Sequence, residues 1–179
     1  MKRYSEYKDS GVQWIGEIPS HWGVLRFKNL FSYMKAGTNL TSMEIKTDAT
    51  FPVYGGNGLR GYFDEYNWEG KCILIGRQGA LCGNVHLVDG KIWATDHAVV
   101  AKGKKKYSDD YLYFLSSTMN LNQYASQTAA QPGLSVGIIG RVKTVVPPLD
   151  EQQAIVEYLK VKTSKIEQYV TKRERERTA

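Results

Sequence analysis

Cysteine is scarce in this 179-residue chain, where Cys72 and Cys82 are the only two. Two thiols cannot build a disulfide framework, and each sits among apolar neighbours, where a reduced cysteine packs as a small hydrophobe. Long apolar runs are missing as well. No window of about eighteen apolar residues occurs, and the opening MKRYSEYKDSGVQWIGEIPSHW has no apolar segment behind its basic start. The expectation is a cytoplasmic protein with neither a membrane span nor a secretory leader.

Signals for catalysis are equally thin. GGNGLRG and GRQGALCG are glycine-rich, but neither ends in the Gly-Lys-Ser/Thr of a nucleotide-binding loop or runs into a helix, so their glycines are assigned to tight turns between strands. Cys72, Cys82, His86 and His97 could ligate zinc, yet their spacing matches no compact finger and on strands they would point to different faces. His97 has no serine or cysteine nucleophile obviously paired with it, and is expected to be a buried, hydrogen-bonded histidine. The sharper candidate is FDEYNWEGKCILIG. Here Asp64 and Glu69 could hold a divalent ion and Lys71 could orient the attacking water of a stand-alone metal-dependent nuclease. No other acidic residue is clearly placed to join them, so the stretch is expected to be a polar loop between strands, with Tyr66 and Trp68 packing over it.

What is present is a hydrophobic fraction of 42%, enough for one well-packed domain and an appendage. From about residue 22 to 103, short apolar segments alternate with turn residues: FPVY, LRGYF, KCILIG, GNVHLV, KIWAT and HAVVA. This spacing predicts a strand-rich twisted sheet or partial barrel. Asp89-Gly90, between NVHLV and KIWAT, predicts a hairpin because both turn residues tolerate positive φ. Ser108 can cap a helix through DDYLYFLSSTMN with Tyr111, Leu112, Leu115 and Met119 on one face. In GRVKTVVPPLDEQQAIVEYLK a strand, a Pro147-Pro148 stop and a helix beginning at Asp150 follow one another, with Gln153 as the second half of a capping box. Ile155, Leu159, Ile166 and Tyr169 form a coiled-coil-type seam interrupted by Lys162. Residues 150–179 would span roughly 45 Å as a helix, too long to be buried by so small a domain. The fold class is therefore α+β: a strand-rich domain with a short helical part over residues 1–148, and a long C-terminal helix over 149–179.

The net charge of +6 points to a polyanionic partner. Residues 160–179 hold seven basic and three acidic side chains, net +4, which leaves only +2 for the rest. Within that balanced body, AKGKKKYSDD places Lys102, Lys104, Lys105 and Lys106 in one cationic loop.

WIGEIPSHWGVLRFKNLF, YGGNGLRGYF, ILIGRQGALCGNV, WATDHAVV, GLSVGIIGRVKTVVPPLDEQQAIVEYL and KTSKIEQYV occur in that order. Together they resemble the specificity subunit of bacterial type I restriction-modification systems, from about residue 9 to 170. The resemblance implies a non-catalytic protein whose target recognition domains, each an α/β globule, read one half of a split DNA sequence, with long helices as spacers. It implies no cofactor in this chain: S-adenosylmethionine would sit on a modification (methyltransferase) subunit, ATP and Mg²⁺ on partner subunits that include a restriction subunit. A full member carries two domain-plus-helix units and this sequence contains one, so it is expected to be a half-subunit. Its C-terminal helix would pair with a second copy or a second half. TKRERERTA departs from the pattern by adding no further seam positions.

Reading base edges in double-stranded DNA requires paired donors and acceptors. Asn57, Arg60 and Tyr62, then Arg77 and Gln78, then Gln127 and Gln131 lie in loops that offer them, while Lys102 and Lys104 to Lys106 would hold phosphates. The alternative is that Asn57 and Arg77 brace a common framework. Base reading would then fall to KAGTNLTSMEIKTDAT and the loop over residues 122–135.

Overall fold

The computed structural model describes residues 4–79, 81–126 and 133–178. The chain runs β1 (Tyr7–Asp9), β2 (Glu17–Pro19), β3 (Gly23–Arg26), a 3-10 turn, β4 (Phe31–Ala36), β5 (Phe51–Gly55), β6 (Gly58–Phe63), β7 (Trp68–Glu69), β8 (Cys72–Gly76), β9 (Val85–Val88), β10 (Lys91–Ala94), β11 (Ala98–Gly103), α1 (Asp109–Thr118), a second 3-10 turn, α2 (Val136–Ile139), β12 (Lys143–Val146) and α3 (Leu149–Thr178). This is the expected α+β architecture.

Two four-stranded sheets form the body. One has the order β4-β11-β8-β9 with every pair antiparallel, and the other the order β6-β5-β10-β7 with a parallel β5-β10 pair. Alternation along β8 shows how they stack. Ile73 and Ile75 belong to a core shared with Leu112, Leu115 and Met119 of α1, whereas Cys72 and Leu74 belong to a second core with Ile92 and Ala94 of β10. A strand covered on both faces must be apolar throughout, which is why CILIG shows no alternation. Tyr111, Leu112, Leu115 and Met119 are all buried on one face of α1, and the Ser108 hydroxyl accepts from the Tyr111 N–H at 3.3 Å as the expected cap.

The Asp89-Gly90 expectation is half right. Gly90 has φ +107 in a turn, but β9 pairs with β8 and β10 pairs with β5 and β7, so the two strands separate into different sheets. The turn carries the chain from one layer to the other. Cys72 and Cys82, the two cysteines of the candidate zinc set, are also separated, since Cys72 faces the second core and Cys82 the first.

A ribbon of β12 and β3 and a hairpin of β1 and β2 bring the N-terminal segment to the base of α3. The helix starts at Leu149, one residue before the expected position, and the residue that fastens it is Gln152. This buried side chain donates to the Pro147 carbonyl at 2.9 Å and accepts from the Ser108 N–H at 3.0 Å, joining α3 to the start of α1. Glu151 beside it accepts from the Tyr4 hydroxyl at 2.6 Å and the Trp22 indole at 2.9 Å and bonds the His21 ring. Val156 is buried and Ile155 and Leu159 are half-buried against the domain, while residues 160–177 are exposed. Among the described residues no helix is long and apolar enough to cross a membrane.

Candidate nucleic-acid interface

Three segments far apart in sequence meet at one end of the sheets. The β5-β6 turn carries Gly56 and Asn57, the segment after β8 carries Arg77 and Gln78, and the residue before β11 is His97. Their meeting depends on bare backbone. A Cβ on Gly76 would lie 1.9 Å from the Gly56 carbonyl oxygen, and one on Gly56 would lie 3.1 Å from the His97 and 3.2 Å from the Gln78 carbonyl oxygens. The glycines of the two glycine-rich motifs are thus consumed in packing against each other, and the Arg77 N–H donates to the His97 carbonyl at 2.9 Å to close the junction.

The junction leaves a shallow groove of about 370 Å³ with Asn57, Arg60, Gln78 and His97 around a glycine floor. Arg60 lies across Gly55, whose missing Cβ makes room for its Cδ, and reaches the Ser42 hydroxyl at 3.4 Å. The Asn57 carbonyl accepts from the Asn84 amide at 2.7 Å. His97 is not the buried histidine expected from its apolar neighbours: its side chain is 44% exposed, with Nε2 3.9 Å from the Asp96 carboxylate. His86 is the more enclosed imidazole. Its ring lies under Gly58, and burial lowers its basicity.

Other sequence-designated residues lie elsewhere or play other parts. Arg77 braces the junction, its guanidinium donating to the Asp96 carbonyl at 3.2 Å. Tyr62 is further along β6, with its main chain bonded in both directions to Lys46. Gln127 and Gln131 lie outside the described residues. The flanking Ser126 and Gly133 bridge to one another, and Gly133 also bridges to Gln78. The stretch over residues 35–50 meets Arg60 through Ser42 and pairs with Tyr62 through Lys46.

The lysines are not part of this cluster. Lys104, Lys105 and Lys106 are exposed after the far end of β11, a strand that spans roughly 20 Å at 3.3 Å per residue. Lys102 is committed to Asp109 at 2.7 Å. Asp110, next along α1, pairs with Lys71 at 3.2 Å and Lys160 at 3.4 Å. Burial pushes the Asp110 carboxyl up, but the two ammonium groups outweigh it and hold it below the ordinary carboxylate range.

The same pairs take apart the nuclease arrangement. Lys71 is turned to Asp110 and Asp64 is paired with Lys46, while Glu69 stands opposite Lys91 in the β7-β10 ladder, so Lys71 and Asp64 are committed to different partners. Among the described residues no three His, Cys, Asp or Glu side chains gather as a metal-binding group.

A two-sheet body, polar loops gathered at one end and a helix projecting from the domain define an α+β recognition module. The chain belongs to the family described as the type I restriction modification DNA specificity domain, which it matches over residues 19–174. It is 43% identical over 123 residues to the type I restriction enzyme EcoprrI specificity subunit of Escherichia coli, covering 66% of this chain and 30% of that one. A putative type I restriction enzyme specificity subunit of Haemophilus influenzae is 28% identical over 124 residues, covering 67% and 32%. The chain therefore spans about a third of the length of these curated relatives. Its fold is similar to the type I restriction-modification S subunit of M. genitalium, with TM-score 0.71, 17% identity and coverage of 84% of this chain and 41% of that one. The HsdS subunit of Thermoanaerobacter tengcongensis gives TM-score 0.59 at 14% identity, covering 83% and 39%.

Proposed function

We propose that this chain is a non-catalytic DNA-recognition unit of a type I restriction-modification complex, working in the cytoplasm. Residues 1–148 read one half of a split target, and residues 149–179 act as a spacer helix. The observation that carries this reading is the convergence, on one glycine-built groove, of Asn57, Arg60 and Gln78, with Ser42 contacting Arg60 and Gly133 bridging to Gln78. Such loops on a rigid double sheet offer base-reading side chains without moving the framework.

The unit docks a methyltransferase subunit and, through it, a restriction subunit. S-adenosylmethionine, ATP and Mg²⁺ belong to those partners. The chain's own glycine-rich loops do not fit a nucleotide, because Gly56 and Gly76 are already packed against each other. Ile166 and Tyr169, 63% and 61% exposed on α3, supply the surface for a second copy or a second half. A two-fold pair of such units reads a palindromic split site.

The test is co-expression with the modification subunit of the same operon in a methylation-free host, followed by mapping of methylated adenines. A palindromic split motif is expected. No methylation from a folded, assembled chain, either by itself or with a second half-subunit supplied, would defeat the reading.

A further inference from the structure

We infer that the groove formed by Asn57, Arg60, Gln78 and His97 holds a backbone phosphodiester of the DNA, and that base reading belongs to side chains outside it. This assignment rests on the DNA-recognition reading and specifies which part of the nucleic acid this site takes. His97, which sequence patterning placed in the core, is one of its ligands.

The groove presents donors. Arg60 carries five N–H donors and no acceptor; its stem packs over Gly55 and its guanidinium makes a long contact to Ser42 at 3.4 Å. Asn57 has one of the two acceptor positions of its carbonyl taken by Asn84, and both N–H donors of its amide are left to a ligand. His97, Gln78 and Leu59 complete the rim, and the Asp96 carboxylate stands 3.9 Å from His97 Nε2. A concave patch rich in N–H donors, with the Arg60 charge among them, fits an acceptor-rich anion.

Rigidity supports the same assignment. The floor is main chain locked by the Gly56-Gly76 contact, and Arg60 is laid flat over Gly55 rather than extended outward. Contacts to phosphate fix register and orientation, for which a rigid shallow site is suited, whereas base edges must be reached by projecting side chains.

The test uses the full chain assembled with its methyltransferase subunit. Two quantities are measured: the salt dependence of duplex binding, and the sequence selected from a randomised duplex pool. Arg60→Gln is expected to lower the slope of log K against log salt by about one unit on every duplex. His97→Ala is expected to weaken binding several-fold on every duplex, with His97→Gln restoring it through the amide donor. Neither variant should change the selected sequence, and thermal midpoints equal to wild type would establish that the domain is intact. A change in the selected base with an unchanged slope would overturn the phosphate assignment, as would unchanged affinity and slope in both variants. A wild-type assembly that binds no duplex would instead overturn the DNA-recognition reading, and this assignment with it.

Discussion

Gly76 rests against Gly56 so closely that a methyl group on Gly76 would fall 1.9 Å from the Gly56 carbonyl oxygen. Because the obstacle is backbone, no rotamer change relieves it. Gly76→Ala should therefore destabilise the domain by about 3 kcal/mol, at the upper end of overpacking costs. Gly79→Ala, at φ +84 with open space around it, should cost only about 1 kcal/mol of backbone strain. Urea midpoints of the two variants check the difference, and equal midpoints would mean that the loop crossing is not tight.

Gln152 satisfies two main-chain groups that α1 and the Pro147-Pro148 turn leave open. Gln152→Leu keeps the volume but leaves the Ser108 N–H and the Pro147 carbonyl without that partner, at a cost of about 2–4 kcal/mol. Denaturant unfolding followed by far-UV circular dichroism should show the loss. A neutral result would mean that water replaces the amide at no cost.

Glu151 ties α3 to the N-terminal segment and brings a pH dependence. Burial pushes its carboxyl up, but hydrogen bonds from Tyr4, His21 and Trp22 outweigh this and hold its pKa below the ordinary value. A carboxyl depressed in the folded state contributes stability above its unfolded pKa, near 4.3, and that contribution is lost as pH falls through the lower folded value. Glu151→Gln should be less stable than wild type near neutral pH, and the gap should close in acid. Tyr4, pushed up to about 12 first by its hydrogen bond to Glu151, acts at the other end. Its contribution is complete below about 10 and fades as pH rises through about 12. Thermal midpoints of wild type and Glu151→Gln from pH 3 to neutrality, covering the range around an unperturbed Glu, check the acid limb. A constant gap would exclude the clasp.

Legibility followed the range of the interactions. The six apolar segments from FPVY to HAVVA all became strands, since turn residues and apolar character act locally. Asp89-Gly90 marked a turn correctly but not a hairpin, because which strand pairs with which is decided by packing between layers. AKGKKKYSDD resembled a phosphate-binding loop that could act with the glycine-rich turns, yet β11 lies between them and Asp109 takes Lys102. His97 departs from the burial that its neighbours Ala98, Val99 and Val100 suggest, because its own position just before the strand opens to the groove. Short β1, β2 and β3 carried too few residues to show a period. Gln152 was passed over for Gln153, since capping patterns describe local bonds and Gln152 acts across to α1.

The exposed part of α3 should report on assembly without disturbing the fold. Ile166 is 63% and Tyr169 61% exposed, and beyond Leu159 the helix is exposed through residue 177. Replacing both by serine removes little that the domain itself buries, so stability against urea should change by less than about 0.5 kcal/mol. If these residues form the seam with another helix, the same double variant should weaken association by tenfold or more, because each apolar seam side chain contributes about 1.5–3 kcal/mol when buried. Sedimentation across a dilution series measures the association, and chemical denaturation the fold. Loss of association at constant stability assigns the stripe to a partner helix. Equal association in both proteins would remove Ile166 and Tyr169 from the contact and leave Ile155 and Leu159, which already face the domain, as the functional end of the seam.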